Sequence, residues 1–325
     1  MTQIISDAQA RQKLLETKQV SISCVVPAYN EGASLETFIP ALHDYLKTIA
    51  ERFEIIVVDD GSKDNSSFVI KQFIATHQTK LIRFSRNFGK ETAIAAGLKH
   101  TSGNVAVIID ADFQHPFKYI KDFLLQWVNG YDMVYGVRDN REDETFLKRI
   151  FTQSFYKVLN WMSDVKIPPN AGDFRLLDRS VVKALNECEE RTRFMKGLYA
   201  WVGFKSLAIP YQPEERRQGI SRWRLRKLTN LAITGFISFS DIPLRLLSIV
   251  GFLISIIAFI YAACIVIATW MFGKDVPGYS TIVVAVIFFG GIQLLAIGVL
   301  GEYIGRIFHE VKKRPSYIIE EKAGF

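Results

Sequence analysis

Val105 to Pro116 reads VAVIIDADFQHP: five apolar residues, four of them β-branched, then two carboxylates one residue apart. A short uncharged β-branched run is the pattern of a strand buried on both faces of a parallel sheet. Its acidic end makes it informative. Alternate residues of an extended segment point the same way, so Asp110 and Asp112 can address one point. Paired hard oxygen ligands suit Mg²⁺ or Mn²⁺. A DxD triplet alone also caps helices or lines solvent; its position at the carboxyl end of a buried strand favours a site.

Working outward, Ser21 to Pro27 (SISCVVP) and Glu54 to Val58 (EIIVV) have the same buried-strand profile, and Lys80 to Ser85 reads as a further strand. Helices are expected over Leu35 to Ile49 and Glu91 to His100. Strands alternating with helices at this spacing predict an α/β domain, Rossmann-like, with a mostly parallel sheet and helices on both faces. Ligands of such sheets collect beyond the carboxyl ends of the strands. There the sequence sets Tyr29, Asn30 and Glu31, then Asp59 and Asp60, then Asp110 and Asp112. No GxGxxG or GxxxxGK[ST] is present, which argues against a dinucleotide or P-loop site.

Hydrophobic residues make up 49% of the 325, and the excess is concentrated after Pro243. Leu246 to Phe272 and Val276 to Gly301 carry no charge, and each exceeds the roughly 20 residues a membrane-crossing helix needs. A buried helical hairpin is the competing reading, but core helices rarely run so long without a polar face. The first twenty residues lack an apolar core, so neither a signal peptide nor an anchor is expected there. Arg216, Arg217, Arg222, Arg224, Arg226 and Lys227 precede the first span, and Lys312, Lys313 and Arg314 follow the second. This asymmetry predicts two spans with both termini cytoplasmic. Arg224 to Ser240 mixes cations with Leu, Ile and Phe, as an interfacial helix does. The expected domains are 1–223 (catalytic), 224–243 (interfacial helix), 244–308 (two-helix transmembrane unit) and 309–325 (tail).

Net charge is +7 and the pI about 9.2. With no nucleic-acid-binding motif, this suggests attraction to anionic headgroups and phosphate substrates, with no nucleic-acid partner. Cys24, Cys188 and Cys264 show neither metal spacing nor a disulfide framework, which suits a reducing compartment.

PAYNE (27–31), VDDGS (58–62), DADFQHP (110–116), GYDMVYGVR (130–138), GDFRLLDR (172–179) and GEYIGRI (301–307), with two spans near the end, resemble the inverting family 2 glycosyltransferases of GT-A fold. More narrowly, they resemble the polyprenyl-phosphate group, with bactoprenol glucosyltransferases and dolichol-phosphate mannose synthases as its branches. The resemblance implies sugar transfer from a nucleotide sugar, UDP-glucose by preference, to undecaprenyl or another polyprenyl phosphate. It also implies a Mg²⁺ or Mn²⁺ cofactor, a place in the bacterial inner membrane and a homo-oligomer, with a tetramer as one form. GDP-mannose, UDP-N-acetylhexosamine and UDP-formylaminoarabinose stay open as donors. A non-catalytic membrane scaffold is the rival from another class.

By the same resemblance, Pro27, Tyr29 and Glu31 contact the nucleoside and Asp59 reads the base, while Asp110, Ala111 and Asp112 meet the nucleotide sugar. Asp110, Asp112 and Gln114 hold the metal. Arg216 and Arg222 fall in RRQGISRW, similar to a segment that folds over the diphosphate; the second basic residue there is commonly lysine. Asp173 and Arg175 stand where relatives carry a site aspartate and its neighbours, and a structural ion pair between them is the alternative. Arg138, Arg149 and Arg175 are candidates for the acceptor phosphate, since guanidinium pairs bidentately with phosphate oxygens. Lys90 either begins a helix or helps order the donor. Asp60 is expected to cap the turn with Gly61 and Ser62.

Overall fold

The computed structural model describes residues 11–16, 19–138, 168, 171–191, 193–214, 242–272 and 278–325. In chain order the elements are β1 (Ser21–Ala28), α1 (Gly32–Ile49), β2 (Arg52–Asp59), α2 (Ser66–Phe73), β3 (Thr79–Phe84), α3 (Lys90–Lys99), β4 (Val105–Ile108), α4 (Lys118–Val128) and β5 (Met133–Arg138). There follow β6 (Ala171–Asp178), α5 (Arg179–Glu187), α6 (Met195–Trp201), β7 (Ser206–Tyr211), α7 (Ile242–Phe272), α8 (Tyr279–Val311) and β8 (Ile319–Ala323).

All eight strands form one sheet in the order β7-β5-β6-β4-β1-β2-β3-β8. Its centre, β4-β1-β2-β3, is parallel, as the unbroken apolar runs require. Beyond it β6 runs antiparallel to both β4 and β5, and β8 runs antiparallel to β3. On one face α1, α2 and α4 pack on Cys24, Val26, Ile55, Val57 and Val107. Leu35, Phe38, Ile39, Leu42 and Leu46 make the buried stripe of α1, a 3.6-residue period that turns one side to the sheet. On the other face α3, α5 and α6 pack on Val25, Ala106, Ile108, Met133 and Leu177, and α3 also covers Val58 and Ile82.

The helix α8 runs past the uncharged stretch, through Glu302 and Glu310 to Val311. Helical hydrogen bonding does not stop where apolarity does. Windows of mean hydropathy 2.5 (Leu247–Ile265) and 1.5 (Phe288–Val311) make both α7 and α8 long and apolar enough to cross a membrane. Trp270 is 88% exposed and Leu294 73%, apolar surface that calls for a non-aqueous neighbour. The expected interfacial helix lies almost wholly outside the described residues, as does most of the connector between the spans.

Candidate active site

Two turns at the carboxyl edge of the sheet are laced together. Asn30 accepts the Lys63 N–H on its amide oxygen (2.8 Å), and the Asn30 N–H donates to Ser62 Oγ (2.9 Å). The Glu31 N–H donates to Ser66 Oγ at 3.0 Å. Asp59 is 0% exposed. Its Oδ1 accepts the Ser62 N–H at 2.8 Å, so Asp59, not Asp60, caps that turn. Asp60 instead accepts the N–H groups of Phe88 (2.6 Å) and Gly89 (2.9 Å) and so fixes the start of α3. Between them Gly61 sits at φ +67, where a Cβ would lie 2.4 Å from the Arg86 backbone. Burial raises the Asp59 carboxyl against the pull of Ser62 and Arg83, whose Nε is 3.8 Å away. Pro27 is buried, and Tyr29 and Glu31 are half-buried at the rim.

Lys90 is the first residue of α3, and its ammonium lies 2.7 Å from Asp110 Oδ1 and 2.7 Å from Asp173 Oδ2. Burial would raise the Asp110 carboxyl, but Lys90 and then His115 outweigh it and hold it below the usual range. Burial opposes ionisation of Asp173 too, and Lys90 again prevails. The Lys90 side chain keeps 44% of its surface open, so solvent screens these pairs in part. His115 Nε2 stands 3.6 Å from Asp110, with its ring stacked on Phe174 at 4.9 Å. Asp112 Oδ1 accepts the Gln114 N–H (3.1 Å), and Gln114 Oε1 accepts from Arg138 (2.9 Å). Phe113, between the two, takes φ +60 and is anchored edge-on to Phe38 at 5.1 Å.

Arg175 does not share this opening. It is 2% exposed, lies 3.5 Å from the Tyr199 ring centroid, and donates to the Gly172 carbonyl at 2.6 Å. The ion pair of Asp173 is with Lys90. Ala111 is buried, and its carbonyl accepts a short bond from Ser34 Oγ. Arg149, Arg216 and Arg222 lie outside the described residues.

Residues 23–185 match the family model Glycosyl transferase family 2, and residues 242–307 match the GtrB C-terminal hairpin. The chain belongs to glycosyl transferase family 2. This glycosyltransferase is 44% identical to an uncharacterized glycosyltransferase of Synechocystis over 94% of its own length and 96% of the relative's. It is 42% identical to the SfII prophage-derived bactoprenol glucosyl transferase of Shigella flexneri (93% and 98%). It is also 42% identical to the putative glycosyltransferase CsbB of Bacillus subtilis (94% and 92%). Among solved structures, glucosyl-3-phosphoglycerate synthase from Mycobacterium tuberculosis aligns at TM-score 0.47 and 18% identity, over 70% of this chain and 82% of that one.

Among the described residues of the glycosyltransferase, no group of three or more His, Cys, Asp and Glu side chains is gathered to hold a metal. The donor set at the strand end is instead two carboxylates, Asp110 and Asp112, with the Gln114 amide oxygen. Few, hard oxygen donors fit an ion that takes its other ligands from phosphate and water, as Mg²⁺ does. The Lys90 ammonium, between Asp110 and Asp173, already offsets part of the negative charge here. The Lys90–Asp173 pairing and Arg83 behind Asp59 had no local signal in the sequence. Only the β2–β3 register, which sets Asp59 opposite Arg83, brings that pair together.

Proposed function

We propose that this glycosyltransferase moves glucose from UDP-glucose to the phosphate of a polyprenyl lipid at the cytoplasmic membrane surface, inverting the anomeric carbon. One observation carries the lipid acceptor. The chain that leaves the second apolar helix at Val311 returns within a few residues to the carboxyl edge of the sheet, where the Ser85 N–H donates to the Ile318 carbonyl at 3.1 Å just after β3. That short return tethers the sheet to a helix long and apolar enough to cross a bilayer. The relatives named bactoprenol glucosyl transferases support the same acceptor.

In this reading Pro27, Tyr29 and Glu31 line the nucleoside, while Asp59, fully buried in this structure, shapes the turn beside the base rather than accepting its imide N–H directly. Asp110 and Asp112, with Gln114, would hold a divalent cation, and Ala111 lies between the two carboxylates. Bound there, the cation supplies charge that offsets the departing diphosphate. Lys90 offers a cation at the same place, worth most where negative charge develops. Arg138, steadied by Gln114, faces the acceptor phosphate together with Arg149. Arg175 acts from behind: it holds the Gly172 carbonyl at the start of β6 and so the bearing of Asp173. A lipid phosphate has a second pKa of about 6 and attacks as an anion, so no strong base is needed. Asp173, kept ionised by Lys90, orients the acceptor or the sugar. Arg216 and Arg222 close over the diphosphate, α7 and α8 span the membrane, and the protein assembles as a homo-oligomer.

The test is transfer from radiolabelled UDP-glucose to undecaprenyl phosphate with purified protein, with and without Mg²⁺ or Mn²⁺, beside Asp112→Ala. Label in the lipid phase that needs the metal and falls by about 10²-fold or more in the variant is the expected result. Label only from GDP-mannose or another UDP-sugar would replace the donor. No label from any donor, in protein that still binds nucleotide, would sink the enzyme reading of this site in favour of a scaffold.

A further inference from the structure

The loop between α5 and α6 touches two distant parts of the molecule. At one end, Arg191 grips the close of α8. Its N–H donates to Glu310 Oε1 (2.9 Å), its Nη1 to the Glu310 carbonyl (2.7 Å) and its Nε to the Arg314 carbonyl (2.6 Å). The Glu310 carbonyl belongs to the last turn of α8, where the macrodipole favours a cation, and the Arg314 carbonyl lies just beyond the helix. Arg193 ties the loop to itself through the carbonyls of Cys188 (2.6 Å) and Glu190 (3.2 Å). At the other end, the Met195 N–H donates to Glu91 Oε2 (2.9 Å). Glu91 adjoins Lys90, which holds Asp110 and Asp173. A second tie runs parallel to the first, with Tyr317 stacked on Phe84 at 4.9 Å.

We propose that Arg191 is a positioning residue for the lipid acceptor: by capping the end of the second apolar helix it sets the height of the Asp110–Asp112 edge above the bilayer. The inference rests on the reading of the acceptor as a lipid phosphate. A long prenyl chain keeps its phosphate at headgroup depth, so the protein must bring the donor to that plane. An offset of about 1 Å in such an alignment lowers a rate by up to about 10²-fold. A short prenyl phosphate in free solution diffuses to the site and does not depend on that height.

The experiment compares wild-type, Arg191→Ala and Arg191→Lys full-length protein in liposomes. Two acceptors are used, undecaprenyl phosphate in the bilayer and a short water-soluble prenyl phosphate, and UDP binding is measured alongside. Arg191→Ala is expected to lower kcat/KM for the bilayer acceptor about tenfold, with the soluble acceptor and UDP binding within about twofold of wild type. Lysine keeps the charge and three donors on a single nitrogen but lacks the planar fork that reaches the two carbonyls from Nε and Nη1, so Arg191→Lys recovers only part of the loss. Should Arg191→Ala fail to bind UDP, Arg191→Lys carries the same comparison. Equal loss with both acceptors, or no loss with either, overturns the positioning role. If wild-type protein labels neither acceptor, the reaction reading falls first, and the acceptor role with it.

Discussion

Glu91 lies directly behind the Lys90–Asp110–Asp173 cluster, and burial, with Asp173 nearby, pushes its carboxyl up to about 7 from an ordinary 4.5. Lys196 and Lys90 face it and pull the other way. Because the folded state holds this proton more tightly, the associated stability is fully present below about 4.5 and is lost as pH rises through about 7. Glu91→Gln keeps an acceptor for the Met195 N–H and removes that loss. The variant should therefore gain about 1–2 kcal/mol over wild type at pH 8 relative to pH 5, allowing for solvent screening. Thermal melts at the two pH values decide it, and an identical difference at both would refute the coupling. Asp110 and Asp112 were legible in the sequence because their relation is local, two residues on one extended segment. Asp59 and Asp60 were only half legible. Neighbours at a strand end point to opposite sides, and which one caps its own turn depends on where the distant 86–89 loop passes. The burial of Arg175 likewise depends on Tyr199, which α6 brings in from a later part of the chain.

The central strands could be read from sequence because two-sided burial leaves an unbroken apolar run. The outer strands could not. β6 carries Asp173 and Arg175 in its middle, β7 contains Pro210, and β8 is IEEKA. Proline and repeated charge mark sheet edges rather than centres, and β7 and β8 are indeed the two edges. Helix α3 depends on close approach to the sheet. A Cβ on Gly97 would lie 2.3 Å from Val25 Cγ1 and 3.2 Å from Val58 Cγ2. Gly97→Ala is expected to destabilise by about 1–3 kcal/mol and to weaken donor binding, since α3 delivers Lys90. Val25→Ala in the same chain frees the space and should restore much of both, which a double-mutant cycle in denaturant measures. Strict additivity of the two losses would count against this packing account.

Across the whole molecule, the two apolar helices were plain from composition, but the return of the chain to the sheet after them was not. β8 pairs with β3 along Leu81, Ile82, Arg83 and Phe84, and Glu320 lies 3.2 Å from Arg83, the residue beside Asp59. Deleting residues 319–325 should open the β3 edge, lower the melting temperature and weaken UDP binding by a few-fold. Calorimetry and nucleotide titration test both effects, and unchanged UDP affinity would show that Arg83 needs no support from the tail. The same strand bears on how the protein is made. A ribosome has delivered both apolar helices before it delivers β8, so the sheet stays open along β3 until the hairpin has been synthesised. A nascent chain halted before residue 319 would carry an unpaired strand edge, a template for mispairing. Closure of the catalytic sheet thereby waits for the hairpin, and products halted before β8 are left marked by their own unfinished edge.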